Sequence, residues 1–493
     1  MNIIQLWLQF GGGGGGINPL AFIFKVTTQA DNELVTLPLQ HDDYAGYDYV
    51  FDFEVQYDKD SPVPVVAYDD TNATYVFPTA GEHIITITGV CEAFSVMNAI
   101  TPIQTQITEI LQWGSVGAKA LDISTCSLVE YIPSDLVGGF SSLLTISGMF
   151  FQCSGITEIP EGLLDSAVNL IDGTFCFGMT NITEIPATLF ANNVLLENLY
   201  GAFWATDIIE IPETLFANLS LLRGVATTFK DCTLLTSIPP LLFAGNGQLR
   251  TASGVFENTA IGSIPSELFG SCSLLQDVST AFRGCTNITA ISVGLFGPTW
   301  NILTFRQTFE GCTSLASVNN SLFLNCGIAT TFEATFASCT ALTTLPSQLF
   351  AQNVNVTSFK ETFKFCQNLT STPSNLFAGS AKVTSYEGVF WGCIRLATIN
   401  ANTFPVYNTK TINFYEGFKT CNALTAIPSN LFDNMPNITG FVRTFHIPSA
   451  PGLITSALPA LWSRSTPGLV KTDCFHNRTA ASNYATATSN GWT

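Results

Sequence analysis

Three glutamates hold the same place in a short recurring word, and paired carboxylates are the groups that cleave glycosidic bonds. The words are T-E-I-P at Glu158 and Glu184 and I-E-I-P at Glu210. If successive words stack like neighbouring strands, the carboxylates lie about 5 Å apart. Such a row could act on a polysaccharide, hold a cation or form a solvated acidic stripe. We favour the stripe, because a like-charged row that faces water costs little free energy.

Other groups that could do chemistry are sparse. Of the four histidines, only His446 and His476 are predicted to approach each other, and no serine or cysteine nucleophile motif accompanies them. The words G-x-S-x-G and H-E-x-x-H and the phosphate-binding loop do not occur. We therefore predict that the protein is not an enzyme and has no catalytic residue, no metal ligand set and no cofactor.

Acidic loops in the first 70 residues raise calcium as an alternative ligand, because calcium prefers several carboxylate oxygens. The acids are Asp42, Asp43, Asp58, Asp60, Asp69 and Asp70. They lack the spacing of an EF-hand loop, so we favour loop solubility as their role.

Cysteine is abundant and regularly placed. Eight of the fourteen cysteines lie three residues after a phenylalanine in a T-F-x-x-C word: Cys153, Cys232, Cys285, Cys312, Cys339, Cys366, Cys393 and Cys421. We predict a column of buried, reduced thiols about 4.8 Å apart that pack as small apolar groups. Zinc or disulfides are the alternatives, although no C-x-x-C pair favours zinc.

A repeat of about 27 residues must position all these groups. A phenylalanine at the repeat position that the T-F-x-x-C word defines, here called the marker phenylalanine, occurs twelve times: Phe150, Phe175, Phe203, Phe229, Phe256, Phe282, Phe309, Phe336, Phe363, Phe390, Phe418 and Phe445. A period of this length indicates a solenoid. Twelve coils predict a rod about 55–60 Å long.

Within each coil, the word L-T-x-I-P predicts a short strand that ends at its proline, and the following L-F pair predicts a short helical turn. A second aromatic column four residues before the marker, from Phe305 to Phe441, predicts core stacking. The residue just after the marker varies, and exposed aromatic side chains there could stack on sugars or anchor a partner. Phe151, Trp204 and Trp391 are therefore candidate binding residues, with half-burial against the next coil as the alternative.

The N-terminal part has a different pattern. Residues 1–19 combine the apolar run MNIIQLWLQF with six glycines, which predicts an anchor on a flexible tether or, alternatively, a strand with a turn. Residues 20–92 contain several short alternating runs, which predict a small β-sandwich. The words F-E-V-Q-Y-D at 53–58 and F-P-T-A-G-E-H-I-I-T-I at 77–87 resemble those of polycystic-kidney-disease (PKD)-type sandwich domains.

The word T-F-x-x-C-x-x-L-T-x-I-P-x-x-L-F, over about residues 105–475, resembles the leucine-rich repeats of BspA-type surface proteins. The resemblance implies a protein that adheres to a surface. The predicted fold class is β-rich, with a small N-terminal β-sandwich and a right-handed leucine-rich-repeat solenoid of about 12 coils of about 27 residues. The predicted parts are the anchor and tether (1–19), the sandwich (20–92), a transition and N-terminal cap coil (93–140), the solenoid (141–471) and a C-terminal cap (472–493).

Composition narrows the choice of partner. A formal net charge of −19 argues against nucleic acid and anionic membranes, and no apolar segment is long enough to cross a bilayer.

We predict a phage virion-surface protein (fibre, tail or capsid-surface component) that binds other virion proteins through its N-terminus and a host-surface glycan or protein through its solenoid. A bacterial cell-surface adhesin of the same repeat family is the alternative, and homo-oligomerisation is left open.

Overall fold

The computed structural model describes residues 18–40, 48–96, 103–297, 301–404, 410–448, 453–464 and 466–493. The chain divides into two compact units, Met1–Asp207 and Ile208–Thr493. The predicted anchor segment Met1–Gly16, and the acids Asp42 and Asp43, lie outside the described residues.

The first unit opens with two small antiparallel sheets. Their strands are β1 (Phe22–Thr28), β2 (Glu33–Thr36), β3 (Phe51–Tyr57), β4 (Val63–Val65), β5 (Thr74–Phe77), β6 (Gly81–Cys91) and β8 (Ile107–Gln112). One sheet has the order β4-β3-β6-β1-β8, and β2 pairs with β5. Strand β3 alternates as its sequence predicts, with Phe53 and Val55 buried and Asp52 and Glu54 exposed, because successive side chains point to opposite faces.

A parallel ladder begins immediately after these sheets. Strand β7 (Ala93–Ser95) pairs with β9 (Ala120–Asp122), and single bridges extend the ladder from Ala120 to Thr145, Asp172 and Asn198. The short helix α1 (Ile103–Gln106) lies between β7 and β8. The ladder therefore starts at β7, at the beginning of the segment 93–140 that the sequence predicts as a transition and N-terminal cap coil.

The second unit continues the same construction. Its bridges run from Gly224 through Thr251, Asp277, Thr304, Thr331, Ser358 and Ser385 to Asn413. Strands β10 (Ile412–Asn413) and β11 (Ile438–Gly440) are parallel. Bridges that repeat every 26–28 residues are the pattern of a solenoid, whereas the coil number and the hand stay predictions.

Two local predictions were wrong. The main ladder lies in the Thr/Ser segment before the marker phenylalanine, and the described L-T-x-I-P words form no strand. Isolated bridges occur at this repeat position where at least one of the two words lacks the proline, as in Ala290–Ser317 and Ser371–Thr398, because proline cannot donate to a ladder. The L-F pairs lie in turns and not in helices. Left-handed residues such as Gln348 and Asn375, with φ of 65° and 59°, interrupt any helix there.

Stacked phenylalanine rings form the core, and they correct the predicted register of one coil. In the first unit Phe150, Phe177 and Phe203 stack at 5.3 and 5.8 Å between ring centroids. Phe177, and not Phe175, is therefore the marker of that coil. The main-chain N–H of Phe150 donates to the carbonyl of Cys176, and this register turns the Phe177 ring inward.

The marker column of the second unit runs from Phe229 to Phe475. A second column follows the L-F words, as in Phe323–Phe350–Phe377. The predicted aromatic column from Phe305 to Phe441 packs against this second column, with the Phe305 ring 4.8 Å from that of Phe323.

The C-terminal segment closes the core of the second unit. Trp492 is fully buried, its ring lies 5.5 Å from Phe441, and its carbonyl accepts the N–H of Phe475. Tyr484, at the start of helix α2 (Tyr484–Ser489), is only half-buried. Arg478 takes the cysteine position of this coil and donates to the carbonyls of Phe445 and Cys421, although burial lowers its pKa to about 10.

Candidate binding surface

An unusual backbone ribbon surrounds each marker phenylalanine. Residues two before and two after it adopt left-handed φ; in one coil these are Ala334 at 52° and Ser338 at 61°. Alternate N–H groups then point to the next coil, as in Phe309 to Thr335 O at 2.9 Å and Gly311 to Ala337 O at 2.8 Å. The ribbon therefore replaces a regular strand as the connection between coils.

We call the surface formed by the side chains three and two before, and one and two after, the marker phenylalanine the ribbon face. In the second unit this face is rich in charged residues. Arg283 lies 3.4 Å from Glu257 and 3.2 Å from Glu310, and Lys230 also contacts Glu257 at 3.3 Å. Further along, Arg306 pairs with Glu333 and Lys360 with Glu387.

These ion pairs join side chains of adjacent coils. Most of them are partly exposed, and exposed pairs contribute only about 0–1 kcal/mol each. Glu257 is different, because its side chain is only 7% exposed between Lys230 and Arg283. The hydrogen bond to Glu387 raises the pKa of Lys360. This row of ion pairs fixes the register between adjacent coils, and it leaves a surface that carries charges of both signs.

Near residue 391 the ribbon face carries an aromatic cluster, which we call the charged platform. The ammonium groups of Lys364 and Lys419 lie 4.3 and 4.4 Å from the ring centroid of Trp391. The ring of Phe365 lies 5.4 Å from that of Trp391. Cation–π contacts of this length are favourable, and they hold the tryptophan half-buried between the two lysines.

A second aromatic cluster, the neutral platform, lies in the first unit. It consists of Phe151, Phe175 and Trp204, with ring centroids 5.6, 5.9 and 6.2 Å apart. All three side chains are half-buried. Phe151 and Trp204 each follow a marker phenylalanine, as predicted, whereas Phe175 was assigned to the core.

Both platforms depend on a phenylalanine in a strained conformation. Phe175 has φ of 53° and Phe365 has φ of 58°, a region that costs a bulky L-residue roughly 1–2 kcal/mol. Neither ring contributes to the stacked core columns. Strain of this kind often marks sites where a side chain is held for function.

Glycines in the following coil make room for these rings. A Cβ added to Gly392 would lie 2.6 Å from Cε1 of Phe365, and one added to Gly201 would overlap the ring of Phe175. Gly178 receives the Phe151 ring in the same way, with a Cβ–Cδ2 distance of 3.1 Å. The rings therefore pack against the backbone of the neighbouring coil, and part of each side chain stays exposed to solvent.

The three glutamates do not lie on the ribbon face. Glu158 and Glu184 are exposed in the first unit, and Glu210 is exposed in the second. Within the described part of the chain, no group of three or more His, Cys, Asp or Glu side chains could hold a metal ion. The exposure of each glutamate suits a solvated position.

His446 and His476 follow the last two marker positions, and their rings stack at 4.7 Å with an interplanar angle of 12°. Burial, and then the neighbouring His476, lowers the pKa of His446. Asp473 opposes this effect, whereas Arg443 and Lys419 add to it. The pair extends the row of cationic and aromatic side chains that begins at Lys364.

All fourteen cysteines are free and buried. From Cys285 to Cys421, those of the repeat position donate to the carbonyl of the marker phenylalanine one coil back, as in Cys339 to Phe309 at 3.2 Å and Cys366 to Phe336 at 3.1 Å. Burial raises their pKa, for example to about 11 for Cys285. Burial and a raised pKa are the properties of structural thiols.

Several asparagines of N-x-T/S words also connect coils. The side-chain amides of Asn181, Asn287 and Asn355 donate to the carbonyls of Ser154, Ala260 and Gly327. These asparagines therefore have a structural role in the repeat. That role accounts for the recurrence of the N-x-T/S words without any need for glycosylation.

The chain matches no family model and no curated protein. Solved structures with a related course include the TLR13–ssRNA13 complex, at 13% identity and a TM-score of 0.35, where the match covers 74% of this chain and 49% of that chain. An internalin from Listeria monocytogenes is 13% identical, with a TM-score of 0.24 and 62% and 85% of the two chains covered. A leucine-rich cell-surface protein from Faecalibacterium prausnitzii is 15% identical, with a TM-score of 0.22 and 64% and 89% covered.

Sequence reasoning found Trp204, Trp391 and Phe151 but missed Phe175, Phe365 and the glycines beneath them. A usable signal exists in the sequence: a phenylalanine at a ribbon position followed by a glycine at the same position one coil later, as in Phe365 and Gly392.

None of the helices in the described part of the chain has the length and hydrophobicity that a membrane crossing requires.

Proposed function

We propose that this chain is a non-enzymatic recognition protein whose ribbon face binds a host-surface glycan or protein. The observation that carries the proposal is the arrangement of the ribbon face, where charged and aromatic side chains vary over a backbone that repeats from coil to coil. A rigid array with variable outward side chains suits binding, because the surface needs little reorganisation when a partner docks.

We further propose that the protein belongs to a phage virion, with other virion proteins bound through residues 1–19. The fourteen buried free thiols support this assignment, because proteins that fold in a reducing cytoplasm keep their cysteines reduced. Virion proteins assemble in such a compartment. The alternative is a BspA-like adhesin on a bacterial surface.

Mass spectrometry of purified virions and of cell envelopes from the source culture separates the two. An intact chain in the particles, with Met1 at its N-terminus, supports the virion assignment. A chain found only in envelopes, and shortened at its N-terminus, contradicts it and supports the adhesin.

Binding itself is tested by attachment of the purified full chain to host cells. Trp391→Ala and Phe175→Asn remove the two platforms, and Leu241→Ser is the matched control, because Leu241 is 63% exposed away from the ribbon face. We expect loss of attachment in at least one platform variant and none in the control. If polysaccharide is cleaved and Glu184→Gln abolishes the cleavage, the protein is an enzyme and the proposal fails.

A further inference from the structure

We propose that the neutral platform of Phe151, Phe175 and Trp204 is a subsite for a neutral sugar; this inference rests on the proposed recognition function and names the ligand class of one part of the ribbon face.

The rings of the neutral platform are held in place by specific contacts. The three rings pack on one another at 5.6–6.2 Å, and glycines at 178 and 201 let two of them lie flat on the next coil. Phe175 stays in left-handed backbone at φ 53° although its ring lies outside the core column. A ring held flat at the surface presents its π face, or its edge, to a ligand.

The surroundings of the platform determine the charge of the ligand. Across the three coils whose markers are Phe150, Phe177 and Phe203, the ribbon-face positions contain no charged residue. They are Ser147, Gly148, Phe151, Gln152, Thr174, Phe175, Gly178, Met179, Tyr200, Gly201, Trp204 and Ala205. The same positions in the second unit hold the lysine, arginine and glutamate ladder.

An acidic ligand would leave water at the neutral platform without gaining a counter-ion, which is unfavourable. The nearby carboxylate of Asp172, which accepts the Thr174 hydroxyl at 2.6 Å, would also repel it. A neutral sugar has the matching chemistry, because its C–H face packs on aromatic rings and its hydroxyl groups bond with uncharged polar side chains. Gln152, Thr174 and Tyr200 supply amide and hydroxyl groups on the same face.

The size of the platform favours a sugar over a protein. A stable protein interface buries about 800 Å² on each partner. Three half-buried rings within 6.2 Å of one another offer much less area than that. They match one or two sugar rings, so the ligand would be a glycan terminus or a short segment of a neutral chain.

The experiment measures binding of neutral oligosaccharides to the full chain by saturation-transfer NMR and calorimetry. The probes are four-residue gluco-, manno-, galacto- and N-acetylglucosamine oligomers, with galacturonate oligomers as acidic probes. We expect at least one neutral oligomer to bind and Phe175→Asn and Trp204→Ala to weaken it about tenfold. Leu241→Ser, at an exposed position outside the ribbon face, is the control and leaves that affinity unchanged.

Three results overturn the inference: no neutral oligomer binds at about 10 mM, binding survives Phe175→Asn, or only the acidic oligomers bind. Binding that Trp391→Ala removes also overturns it, because the ligand then lies on the charged platform. In each of these cases the proposed recognition function would still be supported if attachment to host cells depended on the ribbon face. Loss of all attachment in the wild-type chain would instead remove the recognition function itself.

Discussion

The ring of Phe175 lies across the backbone of Gly201, the residue at the same repeat position one coil later. Phe365 and Gly392 form the same pair in the second unit, and Phe151 and Gly178 form another in the first. These three ribbon-face phenylalanines therefore each lie over a glycine of the following coil, whereas Trp391 is followed at its position by Lys419. This pairing of positions connects the sequence of one coil to the surface of the next.

Replacing that glycine tests the pairing. Gly201→Ala introduces both left-handed strain and overlap with the Phe175 ring, so we expect a loss of about 2–4 kcal/mol in the free energy of unfolding. In the Phe175→Ala background the same change should cost only the strain, about 1–2 kcal/mol. Urea denaturation of the four chains measures the coupling.

Gly468 supplies the matched control. It has φ of 76° and no atom within 4 Å of an added Cβ, so Gly468→Ala carries strain without overlap. Equal costs for Gly201→Ala and Gly468→Ala, with no rescue by Phe175→Ala, would show that the ring does not press on the glycine.

The corrected register predicts opposite behaviour for two phenylalanines that lie two residues apart. Phe177→Ala removes a fully buried ring from the core column and should cost about 3–5 kcal/mol. Phe175→Asn loses two ring contacts, each worth about 0.5–1.5 kcal/mol, but asparagine tolerates left-handed backbone. We expect the unfolding free energy of Phe175→Asn to stay within about 1 kcal/mol of wild type. A larger loss for Phe175→Asn than for Phe177→Ala would show that Phe175, and not Phe177, lies in the core column.

The cysteines should resist modification in the folded chain. All fourteen are buried, and burial raises the pKa of Cys91 and Cys272 to about 12, so little thiolate is present at pH 8. A thiol reagent such as dithionitrobenzoate should react with none of them before urea unfolds the protein and with all fourteen afterwards. Rapid labelling of the native chain would contradict the buried column.

Acid should weaken the C-terminal end of the second unit. The pKa of His446 is lower in the folded chain than in the unfolded one, through burial and through His476. The unfolded chain therefore takes up a proton more readily, and stability falls as the pH drops below the unfolded value of about 6.5. Hydrogen exchange of residues 470–493 at pH 7 and pH 5 measures this loss.

His446→Gln removes the titrating group and is the control for that measurement. We expect the pH dependence of exchange near the buried Trp492 to decrease in this variant. An unchanged dependence would assign the effect to other groups, such as Asp473, which lies near Arg443.

The sequence predicted the repeat and the inward columns well, because a buried phenylalanine every 27 residues leaves few alternatives. It failed at Phe175, where the word G-T-F-C-F offers two phenylalanines and only the main-chain bond from Phe150 to Cys176 selects Phe177. It also failed to place the ladder, since left-handed residues such as Gln307 and Ala334 carry no compositional mark. The candidate platforms depend on those backbone angles, so only Phe151 and the two tryptophans could be predicted.

Binding to an array of immobilised neutral and acidic glycans tests the proposed recognition function most directly. Three full-length chains are compared: wild type, the double variant Phe175→Asn/Trp391→Ala and the control Leu241→Ser. The account predicts glycan binding by wild type and control and its loss in the double variant, with all three chains unfolding at similar urea concentrations. Binding that persists in the double variant, or a wild-type chain that binds no glycan, would contradict it.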